Sequence, residues 1–516
     1  MTTSPASAPR KLRWRLLRWG LVAMAILITL VAILVTEENW RAKRLWDNYQ
    51  AAAKARGVVF DWAALVSTNV PDDQNFASAS FFTSLRQAFW DEQTQDWKPA
   101  GTNHASGPDL YVARPDGSWP VEATGNWNEG RLTNLKAWQN YYRQPSTNGG
   151  APEFPVATQP QTPAADILLA LSKYDQAIAD LRAAAQRPYA RFGGYGQAAG
   201  PQGFSLVLRY LAVLKRCTQI LELRSLAEMG GHQPAEALND IQLLLRLDEL
   251  LRQDPMLIDH LVALAISSIT IQPIYEGLAG HCWTDAELAE LEERLAATDY
   301  LADFHYTMNG ERLYALEVLE QERLTRQQQT VMDDGNKSKV VTTSLRWLPA
   351  AYFYQNEYNF CRVHEQYLSP LVDATNQLVS PDTLRRNDTA FLADYKSYSP
   401  YTSHVRRLAS NVAKSVIKFA SMQTEINLAL TACALERYRL AFHRYPAKLS
   451  ELEPQFIQHL PHDIIDGQPL RYQLVNVDRF VLYSIGWNGK DDGGKAVLNK
   501  SNKQAWEDGD YVWKYN

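Results

Sequence analysis

The sequence predicts a mainly α chain with three parts. These are a single N-terminal transmembrane helix, a body built as a helical bundle or irregular α-solenoid, and a small C-terminal α+β module pairing a long helix with an antiparallel sheet. Three observations predict it. The apolar run "WGLVAMAILITLVAILV" at residues 19–35 stands between a basic segment and the acidic pair Glu37 and Glu38. Apolar residues then recur at helical spacing through residues 164–405. Beyond Pro446 that period gives way to alternating, strand-like runs.

The first element is the anchor. Residues 1–15 form a basic tail, and Arg10, Lys11, Arg13, Arg15 and Arg18 precede or enter the apolar stretch. Residues 16–36 are long enough to span a bilayer, since the core run alone extends ~25 Å at ~1.5 Å per residue. The positive flank places the N-terminus in the cytoplasm and the bulk of the chain outside it, at a bacterial inner membrane. The stretch after the run, "TEENWRAKRLW", carries no small-x-small cleavage site, so the anchor is expected to be retained. Trp40, Leu45 and Tyr49 extend it as a stalk helix that Gly57 ends.

The rest of residues 37–163 is rich in Pro, Gly, Asn and Asp with recurrent Trp, at Trp90, Trp97, Trp119, Trp127 and Trp138. It reads as an irregular region packed on a neighbour. Within "VPDDQNFASASFF", Asp72 or Asp73 is the expected helix N-cap, against a catalytic carboxylate pair.

Helices follow over residues 164–405. Ile241, Leu244, Leu247 and Leu251 share one face of a helix joined to its predecessor by "GGHQP". Thr284 and Glu287 have capping-box spacing. No period near 34 residues holds, so a tetratricopeptide-type array is not indicated. "MDDGNKSKVVTTSLRW" from Met332 reads as an exposed loop that returns to the core at Leu345 and Trp347. The Gly-rich "RFGGYGQAAGPQG" from Arg191 lacks the Lys-Ser or Lys-Thr of a phosphate loop and reads as a linker between helices.

Bulk composition narrows function. The chain has 516 residues, 46% hydrophobic and 21% charged, with net charge −5, so no positive field gathers phosphate backbones and nucleic acid is not an expected partner. Cys217, Cys282, Cys361 and Cys433 are too dispersed for a paired-thiolate metal site; buried thiols are expected, with disulfides open in an oxidising compartment. There is no HExxH or GxSxG. His364–Glu365 is a lone dipeptide, and His459 and His462 read as surface residues.

The module of residues 406–516 begins with a long helix that Pro446 stops, then a short helix at Leu449 to Leu452 and two strand-like runs, "LRYQLV" and "RFVLYSI". "RYP", "LSEL", "PHDIIDGQPLRY" and "YSIGWNGKDDGG" follow one another in it. In that order they resemble the globular part of the major pseudopilins of type II secretion systems, over the C-terminal ~90 residues. The resemblance implies a calcium-binding loop, with Asn488, Asp491 and Asp492 as oxygen ligands. Asn488 stands where the family usually has Asp, which removes one charge from such a site. Glu507, Asp508 and Asp510 could complete the shell or form a solvated end. Without metal, Asn-Gly and Asp-Gly are ordinary hairpin residues. Two departures separate the chain from the family: residues 37–405 intervene between anchor and module, and after Gly20 the fifth residue is Ala25 instead of the family's Glu. Taken whole, the chain resembles single-span bacterial envelope proteins that end in this tail, a likeness that brings no activity with it.

The functional expectation is a membrane-anchored envelope protein, a non-enzymatic binding or assembly scaffold, held in the lipid bilayer by residues 16–36 and binding a protein partner of the envelope. Two alternatives stay open: an extracytoplasmic hydrolase with its site between the helical body and residues 57–163, and an accessory part of a type II secretion or pilus-like machine.

Overall fold

In the computed structural model, the described residues are 10–67, 69–86, 89–91, 96–98, 110–113, 120–144, 153–192, 200–333, 338–395, 399–498 and 504–515. Helix α1 (Arg10–Ala55) runs unbroken through the basic flank, the apolar run and the charged stretch beyond. It contains no proline, and Gly57, at φ +86°, turns the chain out after it. The apolar half is bare, with Leu27 and Leu34 more than 60% exposed. Such a surface is stable only against hydrocarbon or another apolar face. This helix is long and apolar enough to cross a membrane.

Short elements follow: α2 (Trp62–Leu65), α3 (Thr83–Arg86), the antiparallel pair β1 (Phe89–Asp91) and β2 (Asp96–Lys98), and α4 (Leu135–Arg143). Neither Asp72 nor Asp73 caps a helix. Asn75 does so instead, its Oδ1 accepting the Ala77 N–H at 3.2 Å to start the 3-10 turn Phe76–Ser78, while Asp72 accepts the Ser78 hydroxyl at 2.7 Å. Phe76, Phe82, Trp138 and Tyr142 pack into one apolar cluster with α5 (Pro163–Leu171), α6 (Asp175–Ala185), α7 (Gly200–Gly230) and α8 (Pro234–Arg252). The irregular region is thus a cover laid on helices. Trp119 and residues 193–199 of the Gly-rich segment lie outside the described residues.

Helices α9 (Leu257–Ala279), α10 (Asp285–Ala296) and α11 (Tyr300–Thr325) continue the body. The capping box at the start of α10 is complete: the Glu287 N–H donates to Thr284 Oγ1, and the Thr284 N–H donates to Glu287 Oε2 at 2.8 Å. Helix α9 is also apolar enough to span a membrane, but its most apolar stretch is 61% buried among its neighbours, so it is a core helix. α11 passes so close to the start of α9 that a Cβ on Gly310 would stand 2.0 Å from the Pro255 carbonyl oxygen. The segment from Met332 corrects the sequence expectation, because a hairpin of β3 (Gln327–Asp333) and β4 (Ser338–Ser344) replaces the loop. Trp347 is 91% exposed and does not return to the core.

After α12 (Ala350–Val363), the small pair β5 (Val372–Asp373) and β6 (Leu378–Val379), and α13 (Pro381–Asp394), the chain enters α14 (Ser403–Phe442). Then come β7 (Arg471–Asn476), β8 (Arg479–Ser484), β9 (Ala496–Leu498), β10 (Gln504–Gly509) and β11 (Tyr511–Lys514). The main sheet is antiparallel in the order β11-β8-β7, with Leu474 opposite Phe480 and Val512 opposite Tyr483; β9 and β10 pair separately. Strands at 471–484 therefore stand where the alternating sequence put them. Helix α14 is buried on nearly every side from Val416 to Tyr438, because α9, α10 and the sheet all pack on it. One apolar cluster runs through Tyr275, Leu291, Phe419, Leu435, Leu482 and Trp513, joining body and sheet.

Candidate functional site

The C-terminal loop grows out of β8. Gly486 lies at φ +69°, and a Cβ there would meet the Gly509 carbonyl oxygen at 2.1 Å, so the turn requires glycine. Asn488 Nδ2 donates to Asp492 Oδ2 at 2.8 Å, and Asn488 Oδ1 accepts the Lys490 N–H at 2.9 Å. Asp491 Oδ1 instead accepts the Gly493 N–H at 3.0 Å and the Tyr483 hydroxyl at 3.2 Å. The structure thus joins Asn488 to Asp492 and ties Asp491 to a different side of the loop. No three His, Cys, Asp or Glu side chains converge to hold a metal among the described residues.

The residue that organises the loop is Asp510. It is fully buried, and its carboxylate accepts the N–H groups of Asp492, Gly494 and Lys495, the Gly494 bond at 2.7 Å. Burial raises its pKa above the usual carboxylate value, and those donors pull it back down. Asp508 is exposed, and the side chain of Glu507 lies outside the described residues. Asp463 plays the matching part before β7, accepting the Ile485 N–H and an Arg471 N–H, both at 2.9 Å.

The body buries a second set of titratable groups. The Tyr300 hydroxyl donates to Asp248 Oδ1 at 2.5 Å, and Arg252 donates to both Asp248 (2.8 Å) and Asp303 (2.9 Å). This network clamps α8, α9 and α11 together, since Tyr300 also reaches Ser267 at 2.8 Å. Next to it Asp259 and His260 are completely buried without hydrogen-bond partners. Burial drives the Asp259 carboxyl well above the usual range and pushes His260 down to about 3, so the imidazole is neutral near pH 7. Groups so enclosed are closed to a substrate. All four cysteines are free thiols, and His364 is buried.

An open surface lies where α1 docks on the body. A cleft of about 580 Å³ forms where three helix faces meet. α1 contributes Lys43, Trp46, Asp47 and Gln50; α11 contributes Leu313, Leu316, Glu317, Glu320 and Arg323; α12 contributes Tyr354 and Glu357. Each set has the three- and four-residue spacing of one helix face. Phe60, Asp61 and Trp62 close the rim. Lys43 pairs with Asp47 at 2.6 Å, Arg323 with Glu320 at 3.3 Å, and the Trp62 indole donates to Glu317 at 3.1 Å. Glu357 is 3% exposed, and burial pushes its carboxyl up to about 7 against the pull of Arg323. Phe60, Asp61 and Trp62 belong to residues 57–163, the span that the hydrolase alternative set against the body; the α1 wall was not legible, because its face reads as an ordinary amphipathic stripe until tertiary packing brings the helices together.

No known protein family, curated protein or solved structure matches the chain.

Proposed function

We propose that the chain is an envelope protein of a bacterial cytoplasmic membrane, held by one pass of α1, with its N-terminus in the cytoplasm and its body outside, acting as a non-enzymatic binding or assembly platform. One observation carries this reading. The bare apolar half of α1 continues without a break into a half that is part of the body, where Ala42, Trp46 and Ala53 are buried. Contact begins at once beyond the apolar run: Gln355 donates to Glu38 Oε1 and the Ala351 N–H to Asn39 Oδ1, both at 2.7 Å. A flexible tether would let the body wander, whereas a continuous docked helix fixes its height and tilt above the bilayer. The basic flank before the apolar run supports the orientation. The enclosure of Asp248, Asp259 and His260 favours binding over catalysis, and the likeness of the C-terminal module to pseudopilins favours a protein partner in the envelope.

The test uses Trp347→Cys, at an exposed position of the body. The full chain should resist alkaline extraction from membranes, and the new thiol should react with a membrane-impermeant maleimide in cells whose outer barrier alone is opened. Release by alkali would overturn the anchor. Labelling only after the inner membrane is broken would overturn the orientation.

A further inference from the structure

We propose that the cleft between α1, α11 and α12 binds an organic ammonium cation, received by Glu357. The inference adds a ligand to the body and does not depend on which side of the membrane the body occupies.

Charge comes first. Five carboxylates line the cleft, at Asp47, Asp61, Glu317, Glu320 and Glu357, against two cations, Lys43 and Arg323. Both cations pair with carboxylates of the same cleft, Lys43 with Asp47 and Arg323 through Nη2 with Glu320, while Arg323 Nε stays without a hydrogen bond. The walls therefore carry an excess of negative charge, and low-dielectric surroundings concentrate its field.

Glu357 supplies the second observation. It is 3% exposed, it lines the cleft, and it makes no direct hydrogen bond or ion pair with a described residue, the Arg323 guanidinium acting on it only through space. A buried carboxylate with no direct contact is unfavourable, and a cation entering the cleft supplies the contact that Arg323, paired with Glu320, does not make.

The remaining lining distinguishes an organic cation from a metal ion. A hard divalent ion requires several oxygens converging at 2–2.6 Å, and no such group of three acidic side chains occurs among the described residues. Aromatic rings at Trp46 and Trp62 stand beside the carboxylates instead, the Tyr354 ring being already covered by the Arg323 guanidinium at 5.1 Å. Rings and a carboxylate together suit an ammonium group bearing carbon, which gains both cation–π attraction and apolar contact. The cleft volume is in the range that takes a small molecule.

Two sources offer that chemistry, a free amine and the amine of a lipid headgroup. Lys43 lies about 10 Å along α1 beyond Thr36, close to the level at which headgroups end.

The experiment is calorimetric titration of the full chain in detergent with 1,4-diaminobutane, with 1,4-butanediol as the uncharged analogue. The diamine should bind at one site and the diol should not. Glu357→Gln, which keeps the shape and removes the charge, should weaken binding roughly tenfold. Glu320→Gln, at an exposed rim position that the fold does not need, should weaken it about threefold. A parallel arm measures the thermal midpoint of wild type and Glu357→Gln in nanodiscs of phosphatidylglycerol with and without phosphatidylethanolamine. Saturation by the diamine assigns the site to a free amine. A midpoint rise that needs phosphatidylethanolamine and is lost in Glu357→Gln assigns it to a lipid amine. Silence in both arms, an equal response to the diol, or unchanged binding by both variants overturns the proposal.

Discussion

The Tyr275 hydroxyl of α9 donates to the main-chain carbonyl of Lys514, 239 positions later, at 2.8 Å. Around that bond the Trp513 ring lies 5.4 Å from those of both Tyr275 and Trp127. The last strand of the sheet is therefore sealed to the middle of the helical body and to the irregular cover at one point. The C-terminal sheet completes a core that begins in other elements.

This relationship predicts that the sheet and body unfold together. Trp513→Ala should lower the stability of the whole folded body by about 3–5 kcal/mol, the usual loss for a buried large aromatic. Tyr275→Phe should cost about 1 kcal/mol, since it removes the hydrogen bond to the Lys514 carbonyl. Denaturant unfolding of the detergent-solubilised chain, followed by helix content and by tryptophan fluorescence, should give one coincident transition that shifts in both variants. Two separated transitions would show that the sheet is an independent unit.

Asp510 gives a local prediction. With its carboxylate accepting three backbone N–H groups at the root of the loop, Asp510→Ala should destabilise the chain by about 1–3 kcal/mol and raise the exchange rates of the Gly494 and Lys495 amides. Asp510→Asn should be milder, because an amide oxygen still accepts. The tip is tested separately with calcium. A midpoint rise in millimolar calcium that Asp491→Ala or Asp492→Ala abolishes would make Asn488, Asp491 and Asp492 ligands; one midpoint in calcium and in chelator would leave them a turn.

Glu425 makes stability depend on pH. It lies 1% exposed on α14, its Oε2 has no hydrogen-bond partner, and burial pushes its carboxyl up to about 8. The folded state therefore holds a proton that the unfolded chain releases near the ordinary glutamate value of ~4.3. The stabilisation this proton gives is complete below that value and is lost as pH rises through about 8. Glu425→Gln should melt with the wild type at pH 4 and be more stable by on the order of 5 kcal/mol at pH 9. Parallel melting curves of the two across that range would disprove the buried, protonated state.

What the sequence made legible follows from how local each signal is. The α1 run, the Thr284–Glu287 box and the strands at 471–484 are set by residues within a few positions of one another, and all stand where the pattern put them. Trp347 misled because an isolated aromatic carries no period, and its burial depends on what packs over it. Asp510 was visible only as one acid of "WEDGDY"; its role depends on backbone donors at residues 492–495, beyond a whole hairpin. Glu357 is invisible for the same reason, since its cleft is assembled from α1 and α11.

The docked half of α1 yields the last prediction. Removal of residues 1–36 takes away the bare apolar run and leaves Ala42, Trp46 and Ala53 in place, together with the Asn39 cap on the first turn of α12. The shortened chain should leave the membrane fraction and melt at nearly the same temperature as the full chain in detergent. Removal of residues 1–56 uncovers α12 and deletes one wall of the cleft. The loss of Trp46 alone is worth about 3 kcal/mol by the usual scale for aromatic truncation, so this chain should melt well below the other or fail to accumulate. Equal midpoints for the two would mean that the second half of α1 is only a spacer, with the body held at the membrane by something other than its packing.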